Sequence, residues 1–197
     1  MSGIPGQDDV RPATPGVKLT YDDFLLFPDD GKRHELIDGG HYVTPSPSFR
    51  HQQISGNLHW LIRSYLEHHP LGVVFYAPLD IVFSDFDVVE PDLLYMSNER
   101  ASQVVTPMNL RGAPELVIEI ASEGTRKRDE TIKRRLYEKS GVMEYWVVDP
   151  ELDAVRIYRL GSAGYERAVE LAREAGELLT TTLLPGLTLP LADIFKD

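Results

Sequence analysis

The chain has 197 residues, of which 42% are hydrophobic and 26% are charged, a balance typical of one soluble globular domain. It contains no cysteine, which excludes disulfides, thiol nucleophiles and zinc–thiolate sites. The net charge of −11 argues against a broad nonspecific nucleic-acid surface, yet it is compatible with a small basic site or an acidic site that binds cations.

The N-terminal segment differs in composition from the rest of the chain. Residues 1–17 are rich in Gly, Pro and Asp, which predicts a flexible leader followed by a single domain over residues 18–197. This segment lacks a basic-then-apolar signal sequence, and no apolar run approaches the roughly 18 residues of a membrane helix. We therefore expect a cytoplasmic protein with no membrane partner.

The first predicted elements are a short helix, a hairpin and a long helix. Thr20 suits the N-cap of a helix that ends at Phe27. Two alternating runs flank Asp38-Gly39-Gly40, a pattern that predicts a β-hairpin. Apolar residues then recur at spacings of three and four, which predicts a helix over 49–68.

The middle of the chain predicts strands. Two of them, VVFYAPLDIVF and VVEPDLLYM, are expected between residues 72 and 97, and a polar loop over 98–114. The segment PELVIEIAS predicts a central strand, because apolar residues occupy both of its faces.

The C-terminal part continues the mixture of elements. TRKRDETIKRRLYEKS predicts a helix that ends at Gly141, and MEYWVVDP predicts a buried strand. The segments 155–158 and 165–171 predict an antiparallel pair, before a tail that packs against the core. This order predicts an α/β (α+β) domain with a mixed sheet rather than a regular βαβ series.

Two carboxylates stand out because they occur within apolar strands. Glu119 lies in the middle of LVIEIA, and Asp92 lies in EPDLLY. A carboxylate near the core is costly unless it is paired, protonated or bound to a metal. A structural salt bridge is the alternative explanation for Glu119, but functional carboxylates concentrate at such positions.

The helix after Glu119 is locally basic within an acidic chain. Residues 126–139 hold seven basic and three acidic side chains. On a helical wheel Asp129 and Lys133 share the apolar face, whereas Lys127 and Arg134 lie on the opposite one. An inward lysine near Glu119 indicates either a buried ion pair or a metal site with a lysine that stabilises a phosphate.

These residue types suit phosphodiester chemistry. Oxygen ligands such as Asp92 and Glu119 are those preferred by Mg²⁺ or Mn²⁺. A metal held by them can generate hydroxide, and Lys133 can stabilise the developing negative charge. Arg126 and Arg128, in the basic helix, are candidates for substrate contacts.

The same motifs resemble the Uma2 family, also called DUF820, of the PD-(D/E)xK restriction-endonuclease-like superfamily. The resemblance rests on EPD, LVIEIAS, the D-x-x-x-K helix and YEKSGVMEYWVVDP, together with RHELIDGG, SFRHQQISGNL and LLPGLTLPLADIF. It covers about residues 18–196 and implies an αβββαβ core with additional strands and an N-terminal helix.

The resemblance also implies roles for individual residues. Asp92 matches the motif's aspartate, Glu119 its second acid, and Lys133 a lysine that has moved from the strand to the following helix, since Ala121 occupies its usual place. Glu35 matches an early family acid that can complete the metal site, or else it is a carboxylate at the hairpin edge. His51 matches a family histidine and is a candidate substrate contact, the alternative being a structural histidine.

A second departure from the family pattern is the segment Ser122-Glu123-Gly124-Thr125, which places an extra acid beside the proposed site. The leading hypothesis is a metal-dependent endonuclease that hydrolyses DNA. The alternatives are a non-catalytic module that binds nucleic acid or protein, and a metal-dependent hydrolase of RNA or nucleotides. The resemblance further implies a homodimer.

Overall fold

A computed structural model describes residues 17–44, 46–122 and 124–197. Most of the predicted leader (residues 1–17) and the departing residue Glu123 lie outside the described residues. The helical elements are α1 (Tyr21–Phe24), α2 (Phe49–His68), α3 (Asn98–Val104), α4 (Arg126–Arg128), α5 (Arg134–Ser140) and α6 (Leu191–Ile194), with a π-helical turn at Asp129–Lys133 and a 3₁₀ turn at Arg173–Ala175. The strands are β1 (Arg33–Ile37), β2 (Gly40–Thr44), β3 (Gly72–Tyr76), β4 (Ile81–Ser84), β5 (Asp87–Val89), β6 (Leu93–Ser97), β7 (Leu110–Arg111), β8 (Leu116–Ile120), β9 (Glu144–Asp149), β10 (Ala154–Gly161), β11 (Gly164–Tyr165), β12 (Val169–Ala172), β13 (Leu178–Thr180) and β14 (Thr188–Pro190).

The larger sheet carries the core of the fold. Its strand order is β11-β10-β9-β8-β6-β3, with β12 paired to β10. Strand β6 is antiparallel to both β3 and β8, whereas β8 and β9 are parallel and joined by the helical segment α4–α5. The succession α2, β3, β6, β8, α4–α5, β9 is the αβββαβ core, so the predicted α/β fold with a mixed sheet is confirmed.

Strand β8 lies at the centre of this sheet and is buried on both faces. Leu116, Ile118 and Ile120 pack in one apolar cluster with helix α2 and the C-terminal segment. Val117 and Ala121 belong to a second cluster that includes residues of α5. The two clusters confirm the predicted division of faces, which places Glu119 on the same side as α5.

A second sheet brings the hairpin next to the core. Its strand order is β2-β1-β5-β4-β7. The turn Asp38-Gly39 has positive φ angles of 51° and 72°, as a two-residue hairpin turn of type I′ requires. Thr20 caps α1 through a capping box with Asp23, which confirms it as the N-cap.

Three features of the secondary structure differ from the sequence-based expectations. Helix α1 ends at Phe24 rather than Phe27. The region 72–97 contains four strands instead of two, because each apolar run is divided between the two sheets. The expected loop over 98–114 contains α3, which Ser97 caps with its side chain, and the short strand β7.

The C-terminal strands agree with the prediction of an antiparallel pair, since β10 pairs with both β11 and β12. None of the helices in the described residues is long and apolar enough to cross a membrane.

Candidate active site

The carboxylates singled out in the sequence meet around one cavity of about 260 Å³. Asp92 precedes β6 and Glu119 lies in β8, and because these strands are paired, both acids reach the same cavity. The π-helical turn supplies Lys133 to the cavity wall. Glu35 comes from β1 in the other sheet and lies behind Lys133, with only 1% of its surface exposed.

Lys133 joins two of these acids. Its Nζ lies 2.7 Å from Glu35 Oε1 and 2.8 Å from Glu119 Oε1. Burial opposes the charged lysine, but the neighbouring carboxylates outweigh burial and raise the pKa of Lys133. The lysine is therefore a fixed positive charge between two strands of different sheets.

Glu119 is buried and contacts a tyrosine as well as Lys133. The Tyr137 hydroxyl donates a hydrogen bond to Glu119 Oε1 at 2.6 Å. Burial raises the pKa of Glu119 to about 8, since the opposing effect of Lys133 is partly cancelled by the charges of Asp129, Asp92 and Glu35.

Asp92, unlike Glu119, has a pKa below its ordinary value. Arg33 Nη1 lies 2.8 Å from Oδ1, while His51 Nε2 at 3.1 Å and the backbone N–H of Ile120 at 2.8 Å contact Oδ2. Burial opposes the charged form, but the His51 hydrogen bond, the Arg33 charge and the Ile120 N–H lower the pKa of Asp92 to about 2. Asp92 is therefore a permanent carboxylate at neutral pH.

Glu35 is also kept charged despite its burial. The charges of Lys133 and Arg128 and the backbone N–H of Glu90, which donates to Oε1 at 3.1 Å, outweigh burial and lower the pKa of Glu35. Its other oxygen, Oε2, is buried without a hydrogen-bond partner among the described residues.

Negative side chains outnumber positive ones around the cavity. The group comprises five acids (Glu35, Glu90, Asp92, Glu119 and Asp129) and three bases (Arg33, Arg128 and Lys133). Burial raises the pKa of Glu90 to about 7 and also raises that of Asp129, so this excess is costly. Proton uptake or a bound cation would relieve it.

The donor set matches a hard cation in chemistry, since it consists of carboxylate oxygens and includes Glu35 Oε2, which has no hydrogen-bond partner among the described residues. The carboxylates are nevertheless arranged as ion pairs, Asp92 with Arg33 and both Glu35 and Glu119 with Lys133. In the described ranges, no three His, Cys, Asp or Glu side chains are placed to hold a metal ion. A cation at this site would therefore have to compete with Lys133 and Arg33 for the oxygens of Glu119 and Asp92.

The predicted substrate contacts fall in different places. Arg128 lines the cavity, donates to Thr44 Oγ1 at 2.7 Å and lies 3.7 Å from Glu35 Oε2. His51 also lines the cavity, through its contact with Asp92. Arg126 instead pairs with Asp149 and Glu151 and is not among the described residues that line the cavity.

Sequence reasoning did not identify four members of this cluster as site residues. Arg33 and Glu90 flank Asp92 at the cavity. Asp129 is buried, as the helical wheel predicts, but the wheel alone did not indicate that it lines the cavity. Ile132, which a regular wheel places inward, lies in the π-helical turn and is 38% exposed, whereas Tyr137, four residues after Lys133, is fully buried. The glutamate of EPD was the one available signal for Glu90.

Comparison with known proteins identifies the family of the chain. A family model named Uma2 and described as "Putative restriction endonuclease" matches residues 21–192. The chain belongs to the Uma2 family. This membership supports a nuclease function in general.

The fold of this Uma2 chain is also similar to a solved structure. That protein, from Anabaena variabilis ATCC 29413, is described as a "putative nuclease belonging to DUF820". The two share 23% sequence identity with a TM-score of 0.76, and the match covers 90% of this chain and 97% of that one. No curated protein sequence matches the chain.

Proposed function

We propose that this Uma2 chain is a metal-dependent endonuclease that hydrolyses phosphodiester bonds in DNA. The observation that carries the proposal is the meeting of Asp92, Glu119 and Lys133 at one cavity, on paired strands and the helix that follows them. Carboxylates that can bind a metal and a lysine that can stabilise negative charge suit metal-assisted phosphodiester hydrolysis. Uma2 membership supports the same class of reaction.

Asp92 and Glu119 would hold Mg²⁺ or Mn²⁺, and Glu35 is the third candidate ligand. When bound, the metal supplies Lewis acidity and a nucleophilic hydroxide at neutral pH. Asp92 is already ionised, whereas Glu119 must give up a proton before it can bind a cation. Neutralisation of the acid cluster would also help an anionic substrate to approach a chain of net charge −11.

The positive side chains of the cavity would act on the phosphate. Lys133 stays charged and lines the cavity, so its Nζ would stabilise negative charge developing on the phosphate oxygens. Arg128 lines the same cavity and would orient the phosphate. Glu35 keeps Lys133 in place because it contacts the lysine independently of Glu119.

Cleavage of DNA with defined metals tests this proposal. Wild type should cut DNA with Mg²⁺ or Mn²⁺ and not with a chelator, and Asp92→Asn, Glu119→Gln and Lys133→Ala should each lose at least about 100-fold in rate. Lys127→Ala is the matched control for Lys133→Ala, because Lys127 lies in the same helical segment with an exposed side chain. Metal-dependent cleavage that survives Glu119→Gln or Lys133→Ala would contradict the assignment.

A non-catalytic binding module is the second candidate function. The ion pairs that occupy Asp92, Glu119 and Lys133 favour it, because they satisfy these groups without a metal. It predicts DNA or protein binding without turnover and no heat of Mg²⁺ binding in calorimetry. Cleavage of RNA or nucleotides in the same assay, with DNA left intact, would instead support the third hypothesis.

The homodimer implied by the family resemblance remains a prediction. A molar mass near twice the 22.2 kDa of the chain in light scattering would support it.

A further inference from the structure

A second cavity adjoins the first across the ion pairs of Asp92. It has a volume of about 200 Å³ and shares Arg33, His51, Glu90 and Asp92 with the first cavity. The two spaces are therefore neighbouring parts of one cleft, with Asp92 between them. Together they fall within the range of small-molecule sites, roughly 300–1,000 Å³.

The walls that belong only to the second cavity differ in character from those of the first. Gln52 and Ser55, on consecutive turns of α2, and Tyr76, at the end of β3, provide an amide, a hydroxyl and an aromatic ring in place of further charges. The Tyr76 ring packs edge-to-face on His59, with the centroids 4.7 Å apart, and yet the residue remains 58% exposed. An aromatic ring that is held from one side and open on the other is a stacking platform.

We propose that the second cavity holds one unpaired nucleobase beside the phosphate bound in the first cavity. This inference rests on the proposed function and specifies its substrate class: DNA with a single-stranded or flipped-out nucleotide. A base within an intact duplex is stacked on its neighbours and cannot enter a side cavity unless it is first extruded.

The chemistry of the lining supports a base rather than a second phosphate. The stacking surface of Tyr76 suits any base, and the amide of Gln52 can both donate and accept hydrogen bonds at a base edge. Among the described lining residues of the second cavity, Arg33 is the one Lys or Arg side chain a phosphate could meet, and it is already paired to Glu90 and Asp92, whereas the first cavity adds Arg128 and Lys133. Stacking also suits an acidic chain, because it does not depend on a long basic surface along the DNA backbone.

Equilibrium binding of fluorescent oligonucleotides tests the inference separately from catalysis. Wild type, Tyr76→Ala and Tyr76→Phe are titrated against a single strand, the matching duplex and a duplex with one unpaired nucleotide. The titrations are done with EDTA and again with Ca²⁺ in place of Mg²⁺. Trp60→Ala is the matched control, because Trp60 is another exposed aromatic residue, on α2, that does not belong to the described residues lining either cavity.

The inference predicts a selective loss of affinity. Tyr76→Ala should weaken binding of the single strand and of the unpaired-nucleotide duplex by about 5- to 150-fold, the effect of removing one base–aromatic stack. Tyr76→Phe and Trp60→Ala should remain within about twofold of wild type, and the intact duplex should bind weakly to all four proteins.

Four results would overturn the inference. Unchanged single-strand affinity in Tyr76→Ala would show that no base stacks on Tyr76, and an equal loss in Trp60→Ala would show that the effect is not specific to Tyr76. Cleavage of intact duplex by wild type and Tyr76→Ala at equal rates would reject the inference and leave the proposed nuclease function standing. Failure of wild type to bind or cleave any DNA would reject both.

Discussion

Replacing Lys133 by methionine removes one charge from the centre of the site and keeps a side chain of similar length. Lys133 is 3% exposed, and its Nζ contacts Glu35 Oε1 at 2.7 Å and Glu119 Oε1 at 2.8 Å. The substitution would leave two buried carboxylates without their shared cation. Breaking a buried ion pair from one side typically costs about 3–5 kcal/mol, most of it the cost of the charge left behind.

The loss in Lys133→Met should depend on pH in a defined direction. Without the lysine, the pKa of Glu35 rises, because only Arg128 and the Glu90 N–H then oppose burial, and the pKa of Glu119, already about 8 beside Lys133, rises further. The folded variant then binds more protons than its unfolded state, so its stability falls as pH rises above the unfolded value of about 4.5. Between pH 5 and pH 8 Glu119 is largely protonated in both proteins, so the deficit relative to wild type should come mainly from Glu35, be small near pH 5 and approach about 3–5 kcal/mol at pH 8.

Urea unfolding followed by circular dichroism, at pH 5 and pH 8, measures this difference. Lys127→Met should lie within about 0.5 kcal/mol of wild type at both pH values, because its side chain is exposed. Adding Glu35→Gln to Lys133→Met should recover part of the stability lost at pH 8, because Glu35 is the carboxylate that Lys133 keeps ionised. A deficit below about 1 kcal/mol at pH 8, or one that does not vary with pH, would refute the picture of Lys133 as the charge that compensates Glu35 and Glu119.

Three further predictions concern the site and the helix that supports it. Calorimetric Mg²⁺ affinity should increase as pH rises through about 8, because Glu119 must lose its proton to bind a cation, and Glu119→Gln should abolish this pH dependence; an equal slope in both proteins would contradict it. Arg128→Ala should weaken DNA binding, measured by anisotropy, more than Arg126→Ala does, because only Arg128 lines the cavity; the reverse order would assign phosphate contact to Arg126. Gly141→Ala should lower stability in thermal unfolding by about 1 kcal/mol, because φ at this helix end is 84°, and an unchanged melting temperature would argue against a left-handed cap.

Long periodic elements were predictable from the sequence, and short ones were not. Helix α2 begins and ends where its apolar spacing predicts, at Phe49 and His68. The segment 72–97 was divided wrongly because apolar alternation does not report which of two sheets a strand joins. Helix α3 was missed because its seven residues bury only Val104 and so lack a visible apolar stripe.

The sequence predicted those site residues whose charge is unusual for their position in an apolar strand or on the buried face of a helix. Glu119 stands out in an apolar strand, and Lys133 stands out on the buried face of a helix, so each could be found without knowledge of the other's position. Arg33 and Tyr137 gave no such signal, because an arginine at a hairpin and a tyrosine in a helix are ordinary in themselves. Their roles arise from contacts across 59 and 18 residues, with Asp92 and Glu119 respectively.

The helical segment after β8 connects these observations. A π-helical turn over Asp129–Lys133 inserts an extra residue into it. Lys133 and Tyr137 are four residues apart, on one face of the helix, and contact the same oxygen of Glu119. Lys133 lines the cavity while its Nζ pairs with Glu35 of one sheet and Glu119 of the other, so its charge is held at the cavity wall from two sides. In the proposed reaction the same charge would therefore act on the phosphate without leaving Glu35, and the pairing that compensates the buried acids would also position the lysine for catalysis.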